Sequence, residues 1–134
     1  MENEKLRQTL EKNKQNYIDY LLKLASIDTH DIGHGIEGGL EAKGQDFMAE
    51  LFASMGAEKV EKDPLNEESI LKCKEKYREG NTGHNYENRY NVYASFCGKS
   101  KKSILFNGHI DHMPAENEEH WSIPPLSPQV IDGK

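Results

Sequence analysis

The sequence predicts an α/β fold on three observations. Two segments carry apolar residues at helical spacing, one alternates apolar and polar residues as a strand does, and a short apolar run ends abruptly in a cluster of metal-binding side chains. Functional side chains in α/β proteins collect just beyond the carboxyl ends of such strands, so the run and the cluster point to one site.

The first helix is expected from Glu2 to about Ser26, where Leu6, Leu10, Tyr17, Leu21 and Leu24 recur at three-, four- and seven-residue steps. Its other face carries Glu11, Lys12, Lys14 and Asp19, so the apolar stripe is expected to pack on a domain core. Ile27 to Leu40 holds Asp28, Thr29, His30, Asp31, His34 and four glycines, and reads as a loop. Two histidines four apart serve one metal when a helix presents both; the glycines argue against a helix, so a solvated or substrate-side loop is expected.

A second helix is expected from Glu41 to Met55, with Phe47, Leu51 and Met55 on one stripe, Met48 and Met55 as core filler, and Gly56 as the stop. Gly44 in its first turn costs about 1 kcal/mol relative to alanine. Ala57 to Asp63 reads as an edge strand ended by Pro64. Glu67 to Arg78 reads as a surface helix broken by Gly80-Asn81-Thr82-Gly83, with His84 in the loop that follows.

Asn91 to Phe96 alternates, with Val92, Ala94 and Phe96 on one face. Gly98-Lys99-Ser100-Lys101-Lys102 is expected to turn the chain and Ser103 to Phe106 to return as the second strand of a hairpin, apolar enough to be buried on both faces. Ala115 to Pro128 is acidic and then proline-rich, with Trp121 as its anchor. Gln129-Val130-Ile131 is expected to begin another strand, with Asp132-Gly133 as a hairpin turn. A returning strand would follow Lys134, so the sequence reads as an amino-terminal piece of something longer.

The 134 residues are one domain's worth, 35% hydrophobic and 30% charged, with 17 basic against 23 acidic residues and a formal charge of −6. Lysines and arginines are interleaved with acids, which argues against nucleic acid as a partner. Cys73 and Cys97 lie far apart and form no Cys-x-x-Cys pair, which argues against a disulfide framework or a cysteine-rich zinc site. With no signal-like or membrane-spanning stretch, the expected location is the cytoplasm, with no membrane partner.

The chemistry concentrates in Asn107-Gly108-His109-Ile110-Asp111-His112-Met113-Pro114. Zinc or cobalt takes imidazole nitrogen readily, and a ligand imidazole ordinarily donates its other N–H to a carboxylate that fixes its orientation. His109 is therefore the expected metal ligand and Asp111 its orienting partner, while on the pattern alone Asp111 and His112 stay open as further ligands. The segment is one residue short of the His-x-His-x-Asp-His pattern of metallo-β-lactamase-fold hydrolases, since Asn107 stands at that pattern's first histidine.

The same segment, followed by Trp121, Pro125-Leu126-Ser127-Pro128 and Ile131-Asp132-Gly133-Lys134, resembles the first metal-site segment of the M20 family of metallopeptidases, which includes acetylornithine deacetylase, succinyl-diaminopimelate desuccinylase, aminoacylases and glutamate-releasing carboxypeptidases. The order of helices, glycine loop and strand is also similar. The resemblance implies a mixed β-sheet flanked by helices, the catalytic domain of a zinc-dependent exopeptidase, here in its amino-terminal part. It further implies two Zn2+ or Co2+ ions, a peptide or N-acyl amino acid as substrate, a metal-bridged water as nucleophile, and a homodimer at full length. In the family the histidine of Gly-His-x-Asp binds one metal and the aspartate holds its ring, roles that fall on His109 and Asp111 and imply that His112 is a bystander. The family's bridging aspartate, general-base glutamate and remaining ligands would lie beyond Lys134, which implies that these 134 residues alone are inert. The other expectation, of a different class, is a non-catalytic folding or interaction module.

Overall fold

The computed structural model describes residues 2–78, 80 and 83–133, which fall into two compact units, Met1–Ile27 with Ala115–Lys134, and Asp28–Pro114. Among the described residues it is a small α/β protein with three α-helices and two two-stranded antiparallel sheets.

In the first unit α1 runs over Glu2–Ala25, as the periodicity requires, and Ser26 N–H closes its last turn on the Leu22 carbonyl at 3.0 Å. Leu6, Leu10, Tyr17 and Leu21 of its apolar stripe remain exposed, against the expectation of a packed face. No helix among the described residues is long and apolar enough to cross a membrane. After a 3-10 turn over Glu118–His120, the chain passes Trp121, which is exposed and not the anchor expected of it. Asp132 and Gly133 both have positive φ, 51° and 76°, as a primed hairpin turn demands. The strand expected at Gln129–Ile131 does not form: the segment has no ladder partner, and Val130 and Ile131 are exposed. Lys134 lies outside the described residues.

The second unit is built on one helix. α2 (Ala42–Ser54) lies on a sheet of β3 (Lys59–Pro64) and β4 (Tyr90–Ser95), with α3 (Glu67–Tyr77) between the strands in sequence. The strands pair antiparallel from Lys59↔Ser95 to Pro64↔Tyr90. In that register Val60 and Lys62 share a face with Val92, Ala94 and Tyr90, and that face is the one turned to α2. Phe52 of α2 meets Phe96 edge-on, with ring centroids 6.3 Å apart. Met55, expected as core filler, caps α2 and is exposed.

Two corrections follow from the sheet. β4 pairs with β3, across α3, and not with Ser103–Phe106, which forms no strand. Ile104, Leu105 and Phe106 are 78%, 85% and 85% exposed. A strand apolar on both faces needs cover on both, and one helix over a two-stranded sheet supplies it on one face only. α3 keeps the expected bounds to within a residue: Asn66 caps its start by accepting the Ser69 N–H at 2.8 Å, and Arg78 stops it in the left-handed region at φ 54°. Asn81 and Thr82 of that expected break lie outside the described residues.

Where α2 begins, packing explains a residue that helix propensity alone does not. A Cβ on buried Gly44 would stand 2.6 Å from Thr29 Cγ2 and 2.8 Å from Ile110 Cδ1. Overpacking costs about 1–3 kcal/mol, against about 1 kcal/mol gained from helix propensity. Gly44→Ala should therefore lower stability in urea melts; a more stable variant would show that this contact is slack.

Candidate active site

The loop after α1 holds more structure than its glycines suggest. β1 (Asp31–Ile32) pairs antiparallel with β2 (Gly38–Gly39). Between them His34 sits in the left-handed region at φ 53°, ψ 38°, a conformation costing a side-chain-bearing residue roughly 1–2 kcal/mol.

This loop lies along the His109 segment. His30 and His112 form a parallel bridge, and Asp31 N–H donates to the His112 carbonyl at 3.1 Å. Thr29 Oγ1 donates to the Ile110 carbonyl at 2.6 Å, and Thr29 N–H makes a longer bond of 3.4 Å to His112 Nε2. Thr29, expected in a solvated or substrate-side loop, is 3% exposed. Its hydroxyl satisfies a carbonyl whose orphaning would cost about 1–3 kcal/mol.

His109 and Asp111 are brought together. Nδ1 of His109 lies 3.0 Å from the Asp111 carbonyl oxygen and 3.3 Å from Asp111 Oδ1. Both neighbours accept, so the Nδ1 proton is theirs and the Nε2 lone pair is left free on a side chain 83% exposed. A cavity of about 340 Å³ opens beside it, lined by Asp31, His34, His109, Asp111, His112 and Met113. A second, of about 140 Å³, shares His109 and Asp111 and is walled also by Glu41, Arg89 and Tyr90. Among the described residues no three His, Cys, Asp or Glu side chains converge to hold a metal ion. His109 with Asp111 thus fits one ligand and its orienting carboxylate, and no complete coordination sphere.

Behind the site stands a charge cluster with no signature in the sequence. Arg89 Nη2 donates to Asp31 Oδ1 at 3.0 Å and to Glu41 Oε1, with side-chain exposures of 15%, 21% and 12%. A Cβ on Gly39 would lie 2.1 Å from Glu41 Oε2 and 2.7 Å from Asp31 Oδ1, so glycine is required for the two acids to close there. Glu41 is the residue immediately before α2, and its carboxylate goes to Arg89 and not to the amides of the first turn.

Three residues of this site went unrecognised in the sequence. His112 was expected to be a bystander and is hydrogen-bonded from both segments; Thr29 and Arg89 carried no motif. A second histidine at 112, three residues after the expected ligand, is the one signal the sequence offers. The loop histidine His34, set aside as a ligand, lines the same cavity as His109.

Two carboxyls near these elements titrate low. Burial pushes Asp28 up, but hydrogen bonds from the His30 ring (2.7 Å) and amide and the charges of His30 and His112 outweigh it. Asp46 on α2 is lowered by hydrogen bonds from Lys62 (2.5 Å) and Tyr90, against weaker burial. A carboxyl depressed in the folded state stabilises it above the ordinary value of 3.8, and that contribution is lost as pH falls through the lower folded value. The urea midpoint should therefore drop as pH falls below 3.8, and drop less in Asp46→Asn. Identical acid limbs in both proteins would remove Asp46 from that role.

No family model matches the chain, and no solved structure matches it.

Proposed function

We propose that the chain is the amino-terminal part of the catalytic domain of a two-metal amide hydrolase of the M20 kind, acting on a peptide or N-acyl amino acid. The observation that carries this is the His109–Asp111 pair. A ring whose Nδ1–H is committed to Asp111 and whose Nε2 is free beside a cavity has the arrangement of a metal-ligand histidine with its orienting carboxylate. His109 Nε2 would hold one Zn2+ or Co2+. The chemistry that such a pair of ions supplies when bound is a water made nucleophilic at neutral pH and a polarised scissile carbonyl.

This chain's own contribution is positional. Asp111 fixes the tautomer and direction of the His109 ring, and the loop from Asp28 to Leu40 forms one wall of the space where substrate would lie. The bare apolar run Ile104–Phe106 supports the same reading, since in a larger sheet it would be an interior strand with its functional residues at its carboxyl end.

Titration with Zn2+ tests the proposal. The ring resonances of His109 should shift first among the six histidines, and EDTA should restore them. Zinc that perturbs other histidines and leaves His109 untouched would overturn it. With one ligand histidine of a two-metal centre, the 134-residue chain should cleave no dipeptide or N-acetyl amino acid; EDTA-sensitive hydrolysis would contradict that assignment.

A further inference from the structure

The hydrogen bonds of His112 define its protonation. Its Nδ1 lies 2.7 Å from the Met113 carbonyl oxygen, which can only accept, so Nδ1 carries the proton. Its Nε2 lies 3.4 Å from the Thr29 N–H, which can only donate, and 3.9 Å from Asp28 Oδ1, outside hydrogen-bond reach, so in the neutral ring Nε2 carries the lone pair. One neutral tautomer satisfies both, the one that a free imidazole populates less. From the same Thr29 the hydroxyl donates at 2.6 Å to the carbonyl of Ile110, the residue between His109 and Asp111. Thr29 is 3% exposed and its methyl abuts Gly44 of α2, so it has little room to move.

We propose that Thr29 and His112 form a positioning clasp that holds the His109–Asp111 segment against the first turn of α2. Thr29 grips the segment at the Ile110 carbonyl. His112 grips Thr29 in return, its ring locked as the Nδ1–H tautomer. They act by fixing the backbone from which the His109 ring and the Asp111 carboxylate project. The part concerning metal rests on the function proposed above, while the tautomer and the backbone contact stand without it.

The test pairs Thr29→Val, which keeps the shape and loses the hydroxyl, with Thr29→Ser, which keeps the hydroxyl and loses the methyl. Ring nitrogen NMR at pH 8 reads the tautomers, and Zn2+ titration followed at His109 reads the positioning. In the wild-type chain His112 should be found as the Nδ1–H form. In Thr29→Val it should revert toward the Nε2–H form, and Zn2+ affinity at His109 should fall about tenfold, the lower end of what loss of an outer partner costs a metal site. Thr29→Ser should restore both.

An Nε2–H His112 in the wild type would overturn the clasp at once, without any variant. Serine and valine variants that behave alike would reduce Thr29 to a packing residue. A tautomer change with unaltered Zn2+ affinity would leave the clasp without a positioning role. Should Thr29→Val fail to fold, His112→Ala replaces it, since that side chain is 40% exposed and its removal should weaken Zn2+ binding at His109 in the same sense. If zinc binds nowhere, the proposed function fails while the nitrogen spectra still decide the clasp.

Discussion

Replacing Arg89 with alanine should cost about 3–5 kcal/mol, the range for stripping one partner from a buried ion pair. The guanidinium holds Asp31 and Glu41 together where both carboxylates crowd Gly39, and all three side chains are largely buried. Without it two like charges face each other away from water. A domain of this size has some 5–15 kcal/mol in total, and here Ala49 is the buried hydrophobic residue of the core among those described, so little else can absorb the loss. Urea denaturation checks the value. Adding Asp31→Asn and Glu41→Gln to Arg89→Ala should recover part of it by removing the repulsion. A single-variant loss under about 1 kcal/mol, the regime of exposed pairs, would show that solvent reaches the cluster.

His109→Ala should do the opposite: leave the fold intact and remove metal binding. The ring is 83% exposed and bonds only to Asp111, so the urea midpoint should stay within the ±0.5 kcal/mol or so typical of surface substitutions. Zinc binding measured by titration calorimetry should fall below detection. Asp111→Asn should weaken it by about 10- to 100-fold, because the ring keeps its lone pair but loses its charged orienting partner. Zinc bound by His109→Ala with wild-type affinity would place the metal elsewhere. The pair of outcomes separates the two clusters, since the Arg89 cluster is largely buried and holds the fold together whereas the His109 ring is exposed.

Local patterns in the sequence foretold the helices well. The stripes through Leu6 to Leu24 and Phe47 to Leu51 set α1 and α2 to within a residue or so, because an amphipathic helix writes its period into consecutive residues. β4 was legible for the same reason. β3 was legible too, as the edge strand from Ala57 to Asp63 that Pro64 ends, but its pairing with β4 was not: a turn rich in lysine and glycine suggested Ser103–Phe106, the neighbour in sequence. The approach of His109 to Asp111 was legible because they are two residues apart. Thr29, Arg89 and the engagement of His112 were not, since their partners lie 48 to 83 residues away and no local pattern marks such contacts.

Those same separations bear on when the site comes into being. Closing a loop of some 80 residues costs entropy that the Thr29–Ile110 and Thr29–His112 bonds repay only once α2 and the β3–β4 sheet are already in place to receive them. The contact between the Thr29 loop and the His109 segment is therefore expected to form late in folding, on a scaffold that precedes it. Substitutions that tighten it should lengthen the lifetime of the folded chain and leave its rate of formation nearly untouched.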